Sequence, residues 1–346
     1  MKVLLTGASG FVGSHILDSL RSRNIEVVLL LRPTAEKGFI QEHLVARKHI
    51  GAEKGHLVSG KELEGEGGAV EIRQGSIMEE ESLARALEGV THVIHCAGLT
   101  RARKTSEFYE VNHIGTRNLV KAVNAAKGIS RFVHISSLAA VGPGTVAKKE
   151  DDAPSPVSEY GKSKLAGETE VRTQCRVPFV IVRPPGVYGP RDYGFLSLFK
   201  AVRSHILPKP GVNQSLSLVF VKDLAEAAVA CLEHPNAAGK AYFVAAKEVV
   251  TSRELSEEVA SQMGNWTVPL PLFSGVLWLA CLIQEGVSSV TGKAHLLSLA
   301  KYAELRAPGW VCDASLIGRE LGFECKTMLK AGVAATLQWY VQNSWL

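Results

Sequence analysis

The sequence predicts an α/β fold: a doubly wound parallel sheet with a smaller, irregular C-terminal region that would bind substrate. Three observations predict it. Residues 3 to 15, VLLTGASGFVGSH, carry an apolar strand into three glycines and then into HILDSL, which has helical spacing. Apolar, β-branched runs then alternate with amphipathic segments: EVVLLL, AVEIRQG, HVIHCAG, RFVHISS and FVIVRPP are interleaved with stretches such as ESLARALEG and TRNLVKAVNAAK. Strands joined by crossover helices pair in parallel. Their nearly unbroken apolar character suits a sheet covered on both faces.

The glycines come first in the chain. Gly7 permits a tight turn without Cβ strain. Gly10 lets backbone N–H groups approach a pyrophosphate at a helix N-terminus, where the dipole favours an anion. Gly13 lets the helix pack closely on the strand. The spacing is G-x-x-G-x-x-G. An ordinary strand-to-helix turn could carry it, but at the head of a βα unit it reads as dinucleotide binding. The expected division is a dinucleotide-binding domain over 1–183, with the strand and helix at 217–247 returning to it. The substrate-binding region is then 184–216 with 248–346. Residues 50–69 are rich in Gly, Glu and Lys and read as a solvated insertion between the second and third strands.

Composition narrows the class. The chain has 346 residues, 46% hydrophobic and 21% charged, which allows a full core. A net charge of +5 with scattered basic residues does not describe a nucleic-acid face. The six cysteines lie far apart, without a C-x-x-C pair, and no metal site is expected. Reduced thiols and a first strand starting at the third residue lead us to expect a cytoplasmic protein without a signal peptide. The most membrane-like stretch, LFSGVLWLACLI at 272–283, is too short to span a bilayer. It reads as a buried or partly exposed helix, with peripheral membrane contact as the alternative.

The second strand ends at Arg32. An acid here would bind the adenosine ribose hydroxyls of NAD; a base accommodates the 2′-phosphate of NADP. A guanidinium can grip that phosphate with two hydrogen bonds. NADP is therefore the expected cofactor, with NAD as the alternative. Tyr160-Gly-Lys-Ser-Lys164 puts a phenol and an ammonium four residues apart, on one helix face. The ammonium is expected to lower the phenol pKa and make it a usable acid–base group. The strand RFVHISS ends in Ser136 and Ser137, at the sheet edge where open α/β folds hold ligands. Ser137 is the candidate for holding a substrate oxygen; Ser136 reads more simply as satisfying the strand end.

TGASGFVG, HCAG, VNHIGTRNL, HISS, YGKSK and RPPGVYGP fall in order along the chain. Together they resemble the extended short-chain dehydrogenase/reductase superfamily, the Rossmann-fold group that includes NAD-dependent epimerases and dehydratases. The resemblance covers nearly the whole length. It implies a catalytic set of Ser137, Tyr160 and Lys164, with Tyr160 moving the substrate proton and Lys164 also bonding the nicotinamide ribose. Asn112 would support the site. Phe11 and Val12 would join the three glycines at the cofactor, Ala97 and Gly98 would line it, and Pro184 and Val187 would lie near the nicotinamide. Ile77 would contact adenine, with Ser76 standing where the family has an acid. Thr100 and Gly186 would face the substrate with Ser137. A homodimer is a further family expectation.

Two departures bear on the substrate. Nucleotide-sugar enzymes of this group carry asparagine where RPPGVYGP has Gly186, and an arginine, which grips diphosphate, where this chain has Leu216. With the apolar C-terminal third, these features look more like the 3β-hydroxysteroid dehydrogenase and dihydroflavonol reductase branch. The resulting expectation is an NAD(P)-dependent oxidoreductase acting on a secondary alcohol or ketone of a largely apolar small molecule. The alternatives are a nucleotide-sugar epimerase or dehydratase, in which Arg101, Arg103 or Arg191 would hold the phosphates, and a non-catalytic nucleotide-sensing protein.

Overall fold

Alternation of side chains across the strands builds two cores from one sheet. Val3 and Leu5 of strand β1 (Lys2–Thr6) face one layer, and Leu4 faces the other. A computed structural model of the chain describes residues 1–41, 43, 67–272 and 299–346, with 275, 278 and 282. Most of the stretches 50–69 and 272–283 therefore lies outside the described residues.

β1 is flanked in parallel by β2 (Glu26–Leu31) and β4 (His92–His95). β3 (Val70–Gln74) extends the sheet beyond β2. On the other side β5 (Arg131–Ile135), β7 (Phe179–Arg183) and β11 (Lys240–Phe243) follow β4, all parallel. The order β11-β7-β5-β4-β1-β2-β3 reverses direction between β1 and β4. At such a switch point the two crossover helices diverge and leave a crevice beyond the strand C-termini. One face is covered by α1 (Phe11–Ser22) and α7 (Val221–Glu233), the other by α2 (Glu80–Ala86), α4 (Thr116–Ala125) and α5 (Glu159–Gln174), with the short α3 (Thr105–Tyr109) against α5.

The second sheet is assembled from separated segments. β10 (Ser215–Phe220) pairs with β8 (Gly186–Tyr188), β12 (Val249–Thr251) and β14 (Gly309–Cys312), and β14 pairs with β6 (Gly144–Lys148). The segment 217–247 is thus shared between sheets: its strand β10 lies here, whereas α7 and β11 belong to the central sheet. A two-stranded ribbon joins β9 (Ile206–Pro210) to β13 (Val268–Leu272). α6 (Leu196–Arg203) and α8 (Ser252–Met263) pack on β9. α9 (Leu299–Arg306), α10 (Ser315–Leu321) and α11 (Leu329–Gln342) complete this part. No described helix is long and apolar enough to cross a membrane.

Candidate active site

The glycines build a cradle at the switch point. Gly7 has φ +76°, and a Cβ on it would stand 2.6 Å from the Ala97 nitrogen just past β4. A Cβ on Gly13 would stand 2.1 Å from the Gly7 carbonyl oxygen. Both approaches need glycine. α1 starts after Gly10 with no side-chain cap, so its first turn presents backbone donors beside Phe11 and Val12. This arrangement fits a dinucleotide pyrophosphate. Arg32, directly after β2, is exposed at the same sheet edge. Phe39, a little further on, sits among Tyr193, Trp339 and Trp345, with Tyr193 and Trp345 stacked 4.2 Å apart. That aromatic cluster ties the segment after Arg32 to the second half of the chain, and its spacing carries no local signal.

The adenine-side candidates follow β3. The Ser76 hydroxyl accepts the Met78 N–H at 3.2 Å, and its backbone N–H and carbonyl both bond the Ser82 hydroxyl. Ser76 therefore shapes this turn. Ile77 is buried against Gly115, and its carbonyl accepts from Asn118 Nδ2. Ala97 donates its N–H to Thr6 Oγ1, and the Pro184 carbonyl accepts from Leu138 N–H at 2.8 Å. Val187 is half-buried in β8.

Tyr160 lies in the first turn of α5, which Ser158 caps through the Gly161 N–H. The helix crosses the turn Leu138–Ala140 so closely that a Cβ on Gly161 would stand 2.3 Å from the Ala139 carbonyl oxygen. This contact brings Tyr160 to Ser137. Burial pushes the phenol up to about 12, and a hydrogen bond with the Ser137 hydroxyl acts in the opposite direction. Lys164 is buried on the same helix face, and burial pushes its ammonium down to about 8. Its Nζ donates to the Ile135 carbonyl at 2.7 Å. The expected lowering of the phenol by the lysine is therefore not what the geometry shows. Burial sets the direction at the phenol, and Ser137 is the group that draws it down.

Asn112 sits in a π-helical turn, Glu110–Gly115, a distortion common at functional sites. Its amide accepts from Leu99 N–H at 2.8 Å, and donates to the Leu99 carbonyl and to Ser163 Oγ, each at 2.9 Å. One side chain thus fixes the loop of Ala97, Gly98 and Thr100 to α5. Gly98 and Thr100 are exposed on that loop.

Sequence reasoning missed the support beneath the site. Ser136 donates to Glu168 at 2.5 Å, and Glu168 also accepts from Arg183 Nε and Nη2. Both ions are buried. This pair bolts α5 to β5 and β7. Glu168 is four residues beyond Lys164, so a carboxylate on the buried helix face was a readable signal. α9 was missed too. Lys301 Nζ lies 5.4 Å from the centre of the Tyr160 ring, paired with Glu304, which also accepts from Ser158. Gln214 Nε2 pins α9 by donating to the carbonyls of Glu304 and Ala307.

Of the residues expected to face substrate, Gly186 is exposed, and a Cβ there would stand 2.9 Å from Leu218 Cδ2. Leu216 packs with Phe195 and Leu198 against an apolar cluster. Arg191 turns to Asp18 of α1 at 2.7 Å. The Arg101 charge is felt at buried Asp192.

A dinucleotide cradle at the switch point with a Ser–Tyr–Lys set beside it defines an NAD(P)-dependent oxidoreductase-type enzyme. Residues 3–245 match the NAD dependent epimerase/dehydratase family, and the chain belongs to that family. It is 30% identical over 347 residues to a ceramide reductase of Caulobacter vibrioides, covering 99% of this chain and 96% of that protein. It is also 30% identical over 289 residues to a UDP-glucose 4-epimerase of Vibrio cholerae, covering 78% and 79%. In fold it is similar to a UDP-glucuronic acid 4-epimerase from Bacillus cereus in complex with UDP-glucuronic acid and NAD, with a TM-score of 0.76 at 23% identity over 99% of this chain and 100% of that one.

Proposed function

We propose that this enzyme interconverts a secondary alcohol and a ketone on a largely apolar small molecule, with NADP preferred over NAD. The observation that carries the substrate class is Leu216, packed against the apolar cluster of the second sheet where nucleotide-sugar enzymes of the group place a diphosphate-binding arginine. A diphosphate buried against leucine would lack compensation for its lost hydration. Arg191, one candidate substitute, is committed to Asp18. The ceramide reductase relative supports an apolar substrate, and the exposed Arg32 supports NADP.

A bound nicotinamide supplies or accepts the hydride. Tyr160, with its phenol pushed up to about 12, keeps its proton at neutral pH and can donate it to a ketone oxygen. Ser137 orients that oxygen, and the Lys164 ammonium places positive charge beneath the phenolate formed. Gly7, Gly10 and Gly13 with Phe11 and Val12 would hold the pyrophosphate, and Ala97, Gly98, Pro184 and Val187 would line the path to the nicotinamide.

The test is a panel of steroid, flavonoid, long-chain keto and UDP-sugar substrates with both cofactors, followed by absorbance of the reduced nicotinamide. Turnover of an apolar ketone is the expected result. Micromolar binding of UDP in calorimetry, weakened by Arg101→Ala, would instead support the epimerase reading.

A further inference from the structure

We propose that the β9–β13 ribbon is a docking face for an anionic lipid bilayer. Exposed large apolar side chains gather here: Trp266 is 68% exposed, Val268 59% and Leu270 48%, and Ile206 of β9 is exposed beside Val268. Trp266, Val268 and Leu270 alternate along the chain, so they share one face of the strand. Trp266 is held in place by His205, whose ring stacks on it at 4.1 Å and whose Nδ1 bonds its carbonyl. Further along, Trp278 and Leu282 are exposed at helical spacing from Gly275.

Charge selects the occupant. From Val259 to Gln284 there is no Lys, Arg, Asp or Glu. The neighbouring stretch 193–214 holds Lys200, Arg203 and Lys209 and no acid. Lys200 and Arg203 are exposed on α6, which packs on β9. On the α8 flank the Glu257 charge is offset by Arg253, and Glu258 accepts from the Gln262 amide. An uncharged, tryptophan-bearing face with the exposed cations Lys200 and Arg203 on its α6 flank matches the headgroup region of an anionic membrane.

The strand edge argues against a second copy of the chain as occupant. Val268 donates its N–H to the His205 carbonyl, so Leu270 also points its N–H towards β9. The outward-facing positions are Pro269 and Pro271, which have no N–H to offer a new strand. Edge pairing is thereby blocked, whereas insertion of side chains into lipid needs no backbone donor.

The inference rests on the surface and not on the substrate assignment. Its test is sedimentation of the full chain with vesicles of phosphatidylcholine alone or mixed with phosphatidylglycerol, with tryptophan fluorescence read in parallel. Binding to the mixed vesicles with a blue-shifted emission is expected. Trp266→Ser/Leu270→Ser should weaken the partition by about tenfold or more, and Lys200→Glu/Arg203→Glu by about tenfold or more on anionic vesicles. Both variants should keep wild-type turnover of a water-soluble ketone. No sedimentation with either vesicle overturns the proposal, as does undiminished binding by the serine variant. Concentration-dependent dimerisation in sedimentation velocity that the serine variant loses would overturn it in favour of a self-interface. Vesicle binding without turnover of any ketone would sink the substrate reading and leave this one standing.

Discussion

The two sheets of this molecule are built by opposite rules. The central sheet is built mostly of βα units with short crossovers, β1 to β2 to β3 and β4 to β5, and all its pairings are parallel. The second sheet draws β6, β8, β10, β12 and β14 from positions 144 to 312 and mixes parallel with antiparallel pairs. The first carries the glycine turn and the helix of Tyr160 and Lys164. The second carries α9 over Tyr160 through Gln214. A site assembled at their junction has local chemistry on one side and long-range placement on the other. Substitutions should divide along the same line.

The largest effect is expected at the catalytic helix. Tyr160→Phe should lower kcat by about 10²–10⁴ while cofactor affinity stays near wild type, because only the proton-carrying hydroxyl is lost. Single-turnover kinetics with a binding titration would check both halves; retained turnover would remove Tyr160 from its role.

Next in size is the buried pair beneath it. Glu168→Ala leaves the Arg183 guanidinium buried without its carboxylate and should destabilise the fold by about 3–5 kcal/mol. Denaturant titration measures this, and adding Arg183→Met should restore part of the loss. Equal stability of the single and double variants would mean that the pair is not the bolt described here.

The central sheet should also show an acid weakness. Burial holds His95 down to about 3, and His134 is depressed in the same way. Their rings pack 5.3 Å apart, and both nitrogens of His134 are buried without a hydrogen-bond partner among the described residues. Below pH 6.5 the unfolded chain protonates these rings and the folded chain does not. Stability is therefore complete above that pH and falls as pH drops towards 3, by about 1.4 kcal/mol per pH unit for each proton. Melting temperatures across this range should show the slope, and His134→Leu should flatten it by one proton.

Arg32→Asp should move the kcat/KM ratio from NADP towards NAD by about tenfold or more, the scale of one charged hydrogen-bonded contact. An unchanged ratio means that Arg32 does not read the 2′-phosphate. The smallest effect belongs to the second sheet. Gln214→Ala should cost about 1 kcal/mol of stability and raise KM more than it lowers kcat, because it loosens α9 without touching Tyr160. A kcat loss as large as that of Tyr160→Phe would erase the distinction between the two halves.

The parallel sheet, the glycine cradle, and the shared helix face of Tyr160 and Lys164 were determined by the sequence alone. Each depends on residues a few positions apart, where strand and helix periods and glycine sterics act directly. What only the tertiary structure decided came from distant residues. It turned Lys164 to the Ile135 carbonyl and left burial to push the Tyr160 phenol up. It gave the Ser76 hydroxyl to a turn, sent Arg191 to Asp18, and placed β10 in the second sheet while α7 and β11 returned to the first. Pairing across a hundred residues depends on which surfaces remain to be buried once the local units have formed, and no local spacing records that.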